Sequence, residues 1–180
     1  MTCALLAALL LAVTFTDLRS RRIPNALVLA GLAAGVACHV LTLAIGSAPL
    51  AGSEWWSPLA GLATGFALMM PLYLLRATGA GDVKLMAMVG AFIGAPMMIA
   101  AALYTLVAGG LLSLVFMLGR GIAAETIANV RFLFADWAQR ARTGQGMRLA
   151  PLATTAARLP YAVAIALGTG AALRWPLVSP

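Results

Sequence analysis

The chain has 180 residues, of which 63% are hydrophobic and 9% charged, with a net charge of +7 and a mean hydropathy of +0.99. Soluble domains average about 45–50% apolar and about 25% charged residues, and a small soluble fold leaves much of its surface in water. These values exclude a water-soluble globular domain and place the chain among polytopic membrane proteins before any motif is considered.

A hydrocarbon core about 30 Å thick needs about 20 apolar residues in a helix, and six candidate spans follow one another. The first covers residues 2–16. It has no Lys or Arg before the apolar run and no small-x-small site after it, so it reads as a retained span rather than a secretory signal. The second covers 23–45, with Pro24 in its first turn, where proline is tolerated. A loop rich in Gly, Ser and Pro, residues 46–57, leads to the third, 58–75. The stretch 82–118 is too long for one crossing. Gly94-Ala95-Pro96 predicts a break there, giving a short fourth span and a longer fifth. The sixth covers 159–173. Between Gly119 and Arg158 the character changes: Ala123, Ile127, Val130, Phe134, Trp137 and Ala141 fall at helical spacing, with Glu125, Asp136 and Arg140 on the other side. This is an amphipathic helix, suited either to the headgroup plane or to packing on the spans. The expected architecture is one all-α membrane bundle over residues 1–180, with an amphipathic loop at 119–158.

Cation positions set the orientation. With the N-terminus outside, the inner loops hold Arg19, Arg21, Arg22, Arg76, Lys84, Arg120, Arg131, Arg140, Arg142, Arg148 and Arg158. Only Arg174 then lies outside, as the excess of Lys and Arg in cytoplasmic loops requires. The positive charge is thus assigned to topology and to membrane lipids rather than to nucleic acid.

Five acidic residues occur in the chain. Glu54 falls in the outer loop, and Glu125 and Asp136 on the amphipathic helix. Asp17 ends the first span and Asp82 begins the fourth, so both are expected at matching depth on the inner side. Ionisable groups at the edge of a span are costly and mark function. Two carboxylates held together can share one proton. The ionised one then activates water while the protonated one donates to a carbonyl oxygen. Peptide hydrolysis by this route uses no metal. Asp82 is expected as the N-cap of its span, where the helix dipole favours negative charge. Gly79 and Gly81 leave the backbone open to close approach, and Lys84 adds a nearby cation.

Gly79-Ala80-Gly81-Asp82-Val83-Lys84-Leu85 resembles the GxGD-x-K-[LM] motif of the type IV prepilin peptidases. Asp17-Leu18-Arg19-Ser20-Arg21-Arg22-Ile23-Pro24-Asn25 is similar to their first motif, an Asp followed by a basic loop and Ile-Pro-Asn. The stretch from Leu159-Pro160-Tyr161-Ala162 resembles the start of their last span, with Ala162 where Gly is usual. The resemblance implies an enzyme of the bacterial inner membrane that cleaves the leader of prepilins or pseudopilins at the cytoplasmic side. It implies that Asp17 and Asp82 are catalytic, and that Gly79, Gly81, Lys84, Pro24 and Asn25 shape the site or meet the substrate. Long members of the family carry an insert with two CxxC pairs, linked to zinc and to N-methylation. This chain has only Cys3 and Cys38 and no CxxC. It therefore resembles the short form found with tight-adherence (Flp-type) pili, and neither metal, cofactor nor methyl donor is expected.

Other residues have simpler expectations. Cys3 and Cys38 read as small buried apolar side chains. His39 reads as a packing histidine bonded to a backbone carbonyl, in preference to a ligand or relay. Trp55, Trp56 and Trp175 fall where an aromatic belt belongs, and Gly109-Gly110 suggests close helix contact. A small proton-coupled transporter using the same carboxylates is the alternative. Against it, both acids lie at a membrane edge and not at the midplane. A third reading, a non-catalytic subunit of a pilus machine, gives no reason for keeping the acid pair.

Overall fold

The computed structural model describes residues 1–75, 78–121, 123–143 and 161–177. Among these every regular element is helical: α1 (Thr2–Ser20), α2 (Asn25–Ala44), α3 (Ser57–Leu74), α4 (Ala80–Gly119), α5 (Ala123–Thr143) and α6 (Tyr161–Arg174). The first four are long and apolar enough to cross a membrane, and α6 is a shorter apolar helix. The chain divides into two compact units, residues 1–109 with 160–180, and residues 110–159.

The predicted break in α4 is present. Gly94 adopts φ 75° and ψ 170° inside an otherwise helical run. Pro96 explains the position: it has no N–H to donate, and its ring opposes the carbonyl four residues earlier. The left-handed φ falls on the glycine, which carries no Cβ to clash. The first arm, residues 80–93, rises only about 21 Å at 1.5 Å per residue, short of a core about 30 Å thick. It does not meet lipid alone. Val83, Leu85, Met86, Met88, Val89, Phe92 and Ile93 are all buried, as expected of a helix that is apolar on every side.

Glycines in the neighbouring helices let this arm into the centre. Gly31 and Gly35 of α2 receive the side chains of Met88 and Phe92, and Gly61 of α3 lies directly on the backbone of Gly90. A Cβ at either Gly61 or Gly90 would overlap the other's carbonyl oxygen. Small residues four apart permit such contact between membrane helices, where packing replaces the hydrophobic drive. At the far end of the arm, the buried Ala51 of the α2–α3 loop sets its carbonyl against Gly94. Non-helical backbone at this depth is tolerable because protein covers it.

α1 packs against α2 and α6. Its buried positions, Leu6, Leu10, Val13 and Asp17, form one stripe, so an acid closes an otherwise apolar face. α1 runs one turn beyond the expected end. It stops where Arg21, at φ 52°, turns left-handed and donates its N–H to the carbonyl of Asp17 at 2.8 Å. Such a turn satisfies a carbonyl that the helix end leaves open. Pro24 follows as the N-cap of α2, one residue before the helix begins at Asn25 and so just outside the first turn in which it was expected.

His39 is buried and hydrogen-bonds through Nε2 to the carbonyl of Glu54 at 3.0 Å, as expected. Cys38 is buried, but Cys3 is exposed on the outside of α1. The expectation of two buried thiols fails for Cys3 because an apolar side chain can equally face lipid. Gly109 receives the ring of Tyr161, whereas Gly110 has nothing near it. The expected glycine contact is thus made by one of the pair. Residues 144–160, with the end of the predicted amphipathic loop and the start of the sixth predicted span, lie outside the described residues.

Candidate active site

Asp17 and Asp82 are carried by different helices, α1 and α4. Asp17 is carried on the last turn of α1 and is only 7% exposed. Its Oδ2 accepts the backbone N–H of Ala162, in the first turn of α6, at 3.3 Å. Thr14, one turn earlier on α1, donates its hydroxyl to the carbonyl of the same Ala162 at 3.5 Å. The start of α6 is therefore held by two side chains of α1. The first N–H groups of a helix have no partner within it. A carboxylate there satisfies one of them and complements the helix dipole.

Asp82 occupies a different cap position from the one expected. The carbonyl of Gly79 accepts the first helical bonds, from Asp82 N at 3.1 Å and Val83 N at 3.4 Å, which makes Gly79 the N-cap of α4. Asp82 is the third residue of the helix, and its Oδ2 reaches back to the N–H of Gly79 at 3.0 Å. This is the reciprocal half of a capping box, in which an acid at the third position closes onto the cap. A glycine cap has no side-chain oxygen, so the acceptor comes from inside the first turn, and Asp82 stands there instead of at the expected N-cap.

The two carboxylates are near enough for their charges to act on one another, and Tyr161 is near enough to Asp82 for the same. Neither Asp17 nor Asp82 has an ion-pair partner among the described residues, where the salt bridge present joins Arg140 and Asp136. Also among the described residues, no three His, Cys, Asp or Glu side chains converge as a metal cage would.

A model of the type IV leader peptidase family matches residues 4–114. The chain belongs to that family. No curated protein and no solved structure matches it. The matched stretch takes in α1, α2, α3 and most of α4, with Asp17 and Asp82 both inside it.

The remaining motif residues of this leader peptidase brace the site. Lys84 does not turn to either aspartate: its Nζ donates to Oδ1 of Asn25 at 3.1 Å. That bond ties the second turn of α4 to the first residue of α2. Gly81 lies against Ile23, where a Cβ would stand 3.2 Å from the isoleucine Cβ. Pro24 sets the entry to α2 through its backbone, at φ −64° and ψ 127°, and makes no side-chain bond to the acids. Gly79 acts through its N–H. Around it a Cβ would find only ordinary contact, 3.4 Å from Asp82 Oδ2.

Tyr161 and Ala162 are the parts of the site that the residue pattern did not assign. They lie beyond the family match, at the start of the last apolar helix. That stretch resembles the start of the family's last span, but the resemblance gave neither residue a role, and Ala162 takes part through a backbone N–H, which every residue but proline has.

Proposed function

We propose that this leader peptidase is an aspartic endopeptidase that removes the short leader of type IV, Flp-type prepilins or pilin-like proteins. Cleavage takes place at the cytoplasmic face of a bacterial inner membrane, with Asp17 and Asp82 as the catalytic pair. The observation that carries this reading is the approach of two carboxylates, both inside the family match, each bonded to a backbone N–H and neither ion-paired among the described residues.

Two carboxylates held close together share a proton more readily than they both ionise. The ionised carboxylate takes a proton from water. The water oxygen bonds to the scissile carbonyl carbon, and the protonated carboxyl gives its proton to the carbonyl oxygen. Collapse of the tetrahedral intermediate breaks the C–N bond. The amine leaves with the proton first taken from water, and the carbonyl oxygen returns its own, so the pair ends as it began.

A prepilin is an apolar helix with a polar leader, so its cleavage site rests at the membrane edge. The cation distribution of the chain supports the same side for the two acids. The leader is basic and so are the inner loops, which makes packing of the pilin helix between spans the main recognition term. The missing CxxC pairs support cleavage without N-methylation.

The test is co-expression with candidate prepilins and comparison of pilin mass between the wild type and Asp82→Asn. The expected result is a loss of the leader alone, with no added methyl group, and no processing by the variant. Full processing by folded Asp82→Asn overturns the assignment.

A further inference from the structure

α5 is a helix that the peptidase reaction does not use. Its 21 residues rise about 31 Å, long enough to cross a bilayer, yet it carries Glu125, Arg131, Asp136, Arg140 and Arg142 and is not among the candidate spans. A helix of this length with one apolar stripe and a charged remainder lies in the interface rather than across it.

The charges on α5 are ordered around the helix. At 100° per residue, Ala123, Ile127, Val130 and Ala138 share one stripe. Ile127 and Val130 on this stripe are 54% and 46% exposed. Arg131 and Arg142, eleven residues and about three turns apart, fall on one edge of the stripe, and both are exposed. Neither makes an ion pair among the described residues. The remaining described cation of the helix, Arg140, is taken by Asp136 at 2.7 Å on the polar side. Phe132, also exposed, falls off the stripe. Free cations at the boundary between apolar and polar faces suit a surface whose apolar interior is rimmed with phosphate. Their aliphatic stems lie along the apolar side while the guanidinium groups reach outward.

Chain continuity points the same way. α5 begins just after α4 ends at Gly119, through a left-handed turn at Gly121, φ 67°. The last turns of α4 expose Leu111, Leu114, Val115 and Leu118, which in a membrane face lipid. Arg120, at the junction, sits over the ring of Phe116, 4.3 Å from its centroid. The helix is thus fastened to the end of a lipid-facing segment.

We propose that α5 is an in-plane membrane anchor that seats Ile127 and Val130 in the bilayer interface and takes anionic phospholipid headgroups along the Arg131–Arg142 edge. Each cation near an anionic surface contributes about a fivefold factor in affinity, and the pair about 25-fold.

The test uses the full chain in nanodiscs. Ile127→Cys, in a Cys3→Ser and Cys38→Ala background that still processes substrate, carries a fluorophore quenched by nitroxide-labelled phosphatidylcholine. Gln139→Cys, on the polar side, is the reference. With phosphatidylglycerol present, quenching at 127 is expected to be strong and at 139 weak. Omitting phosphatidylglycerol, raising the salt or combining Arg131→Gln with Arg142→Gln should each weaken it at 127. Quenching at 127 that ignores both phosphatidylglycerol and the arginines overturns the headgroup assignment. A label unquenched in every disc, or shielded only as protein concentration rises, overturns the anchor in favour of docking on protein.

Discussion

Replacing Asp17 in two ways separates its chemistry from its structural bond. Asn keeps an acceptor oxygen for the N–H of Ala162 but loses the charge, whereas Ala loses both. Each removes the like-charge interaction with Asp82, so that effect cancels when the two variants are compared. Processing should fall about 10²–10⁴-fold in both, the usual contribution of a general acid or base. Stability should differ. Asp17→Ala leaves a buried N–H unsatisfied, a cost of about 1–3 kcal/mol, and the 3.3 Å length of the bond argues for the lower half of that range. For a chain of this size 1 kcal/mol moves the midpoint by about 2–4 °C, so Asp17→Ala should melt about 2–8 °C below Asp17→Asn in the same detergent. The measurements are precursor cleavage in proteoliposomes and thermal unfolding by circular dichroism. Wild-type processing by Asp17→Asn would refute the catalytic role, and equal melting of the two variants would refute the tie between α1 and α6.

Gly81→Ala should slow cleavage about tenfold or more while Gly79→Ala stays near the wild type. The former presses on Ile23 at 3.2 Å and shifts the brace beside Asp82, the latter meets only ordinary contact, and small displacements at a site cost rate steeply. Equal effects in a cleavage assay would contradict this. Lys84→Met and Asn25→Ala should couple by about 0.5–1 kcal/mol in a double-mutant cycle on stability, as an exposed hydrogen bond of a charged group does; additive effects would remove the brace. Gly90→Ala forces a Cβ onto the carbonyl of Gly61 and should cost about 1–3 kcal/mol or more, read as loss of monodisperse protein in size-exclusion chromatography. Chelators should leave processing unchanged, since the proposed chemistry runs on carboxylates and water; inhibition reversed by added zinc would contradict it.

Much of the architecture was legible because a membrane imposes few solutions. Apolar length marked the helices within a few residues, and Gly94-Ala95-Pro96 marked the break in α4, since proline cannot complete the backbone bond at that point. The scarcity of acids did the same for the site: in so apolar a chain, Asp17 and Asp82 at the ends of spans stand out without any structure. The helix cap lies at Gly79, three positions before the expected Asp82, because glycine and aspartate both suit the start of a helix. Only the bond back to Gly79 decides between them.

What the sequence by itself determined was the class of protein, the order of its spans and the two acids on which its chemistry is proposed to run. Tertiary structure alone decided that the short first arm of α4 is central, that Lys84 turns to Asn25, and that the start of α6 closes over Asp17. The reason is physical. Helix formation and lipid solvation depend on local composition, which the sequence carries residue by residue. The meeting of a carboxylate with a backbone N–H 145 positions away depends on how the helices pack, and packing turns on glycine contacts that composition does not reveal.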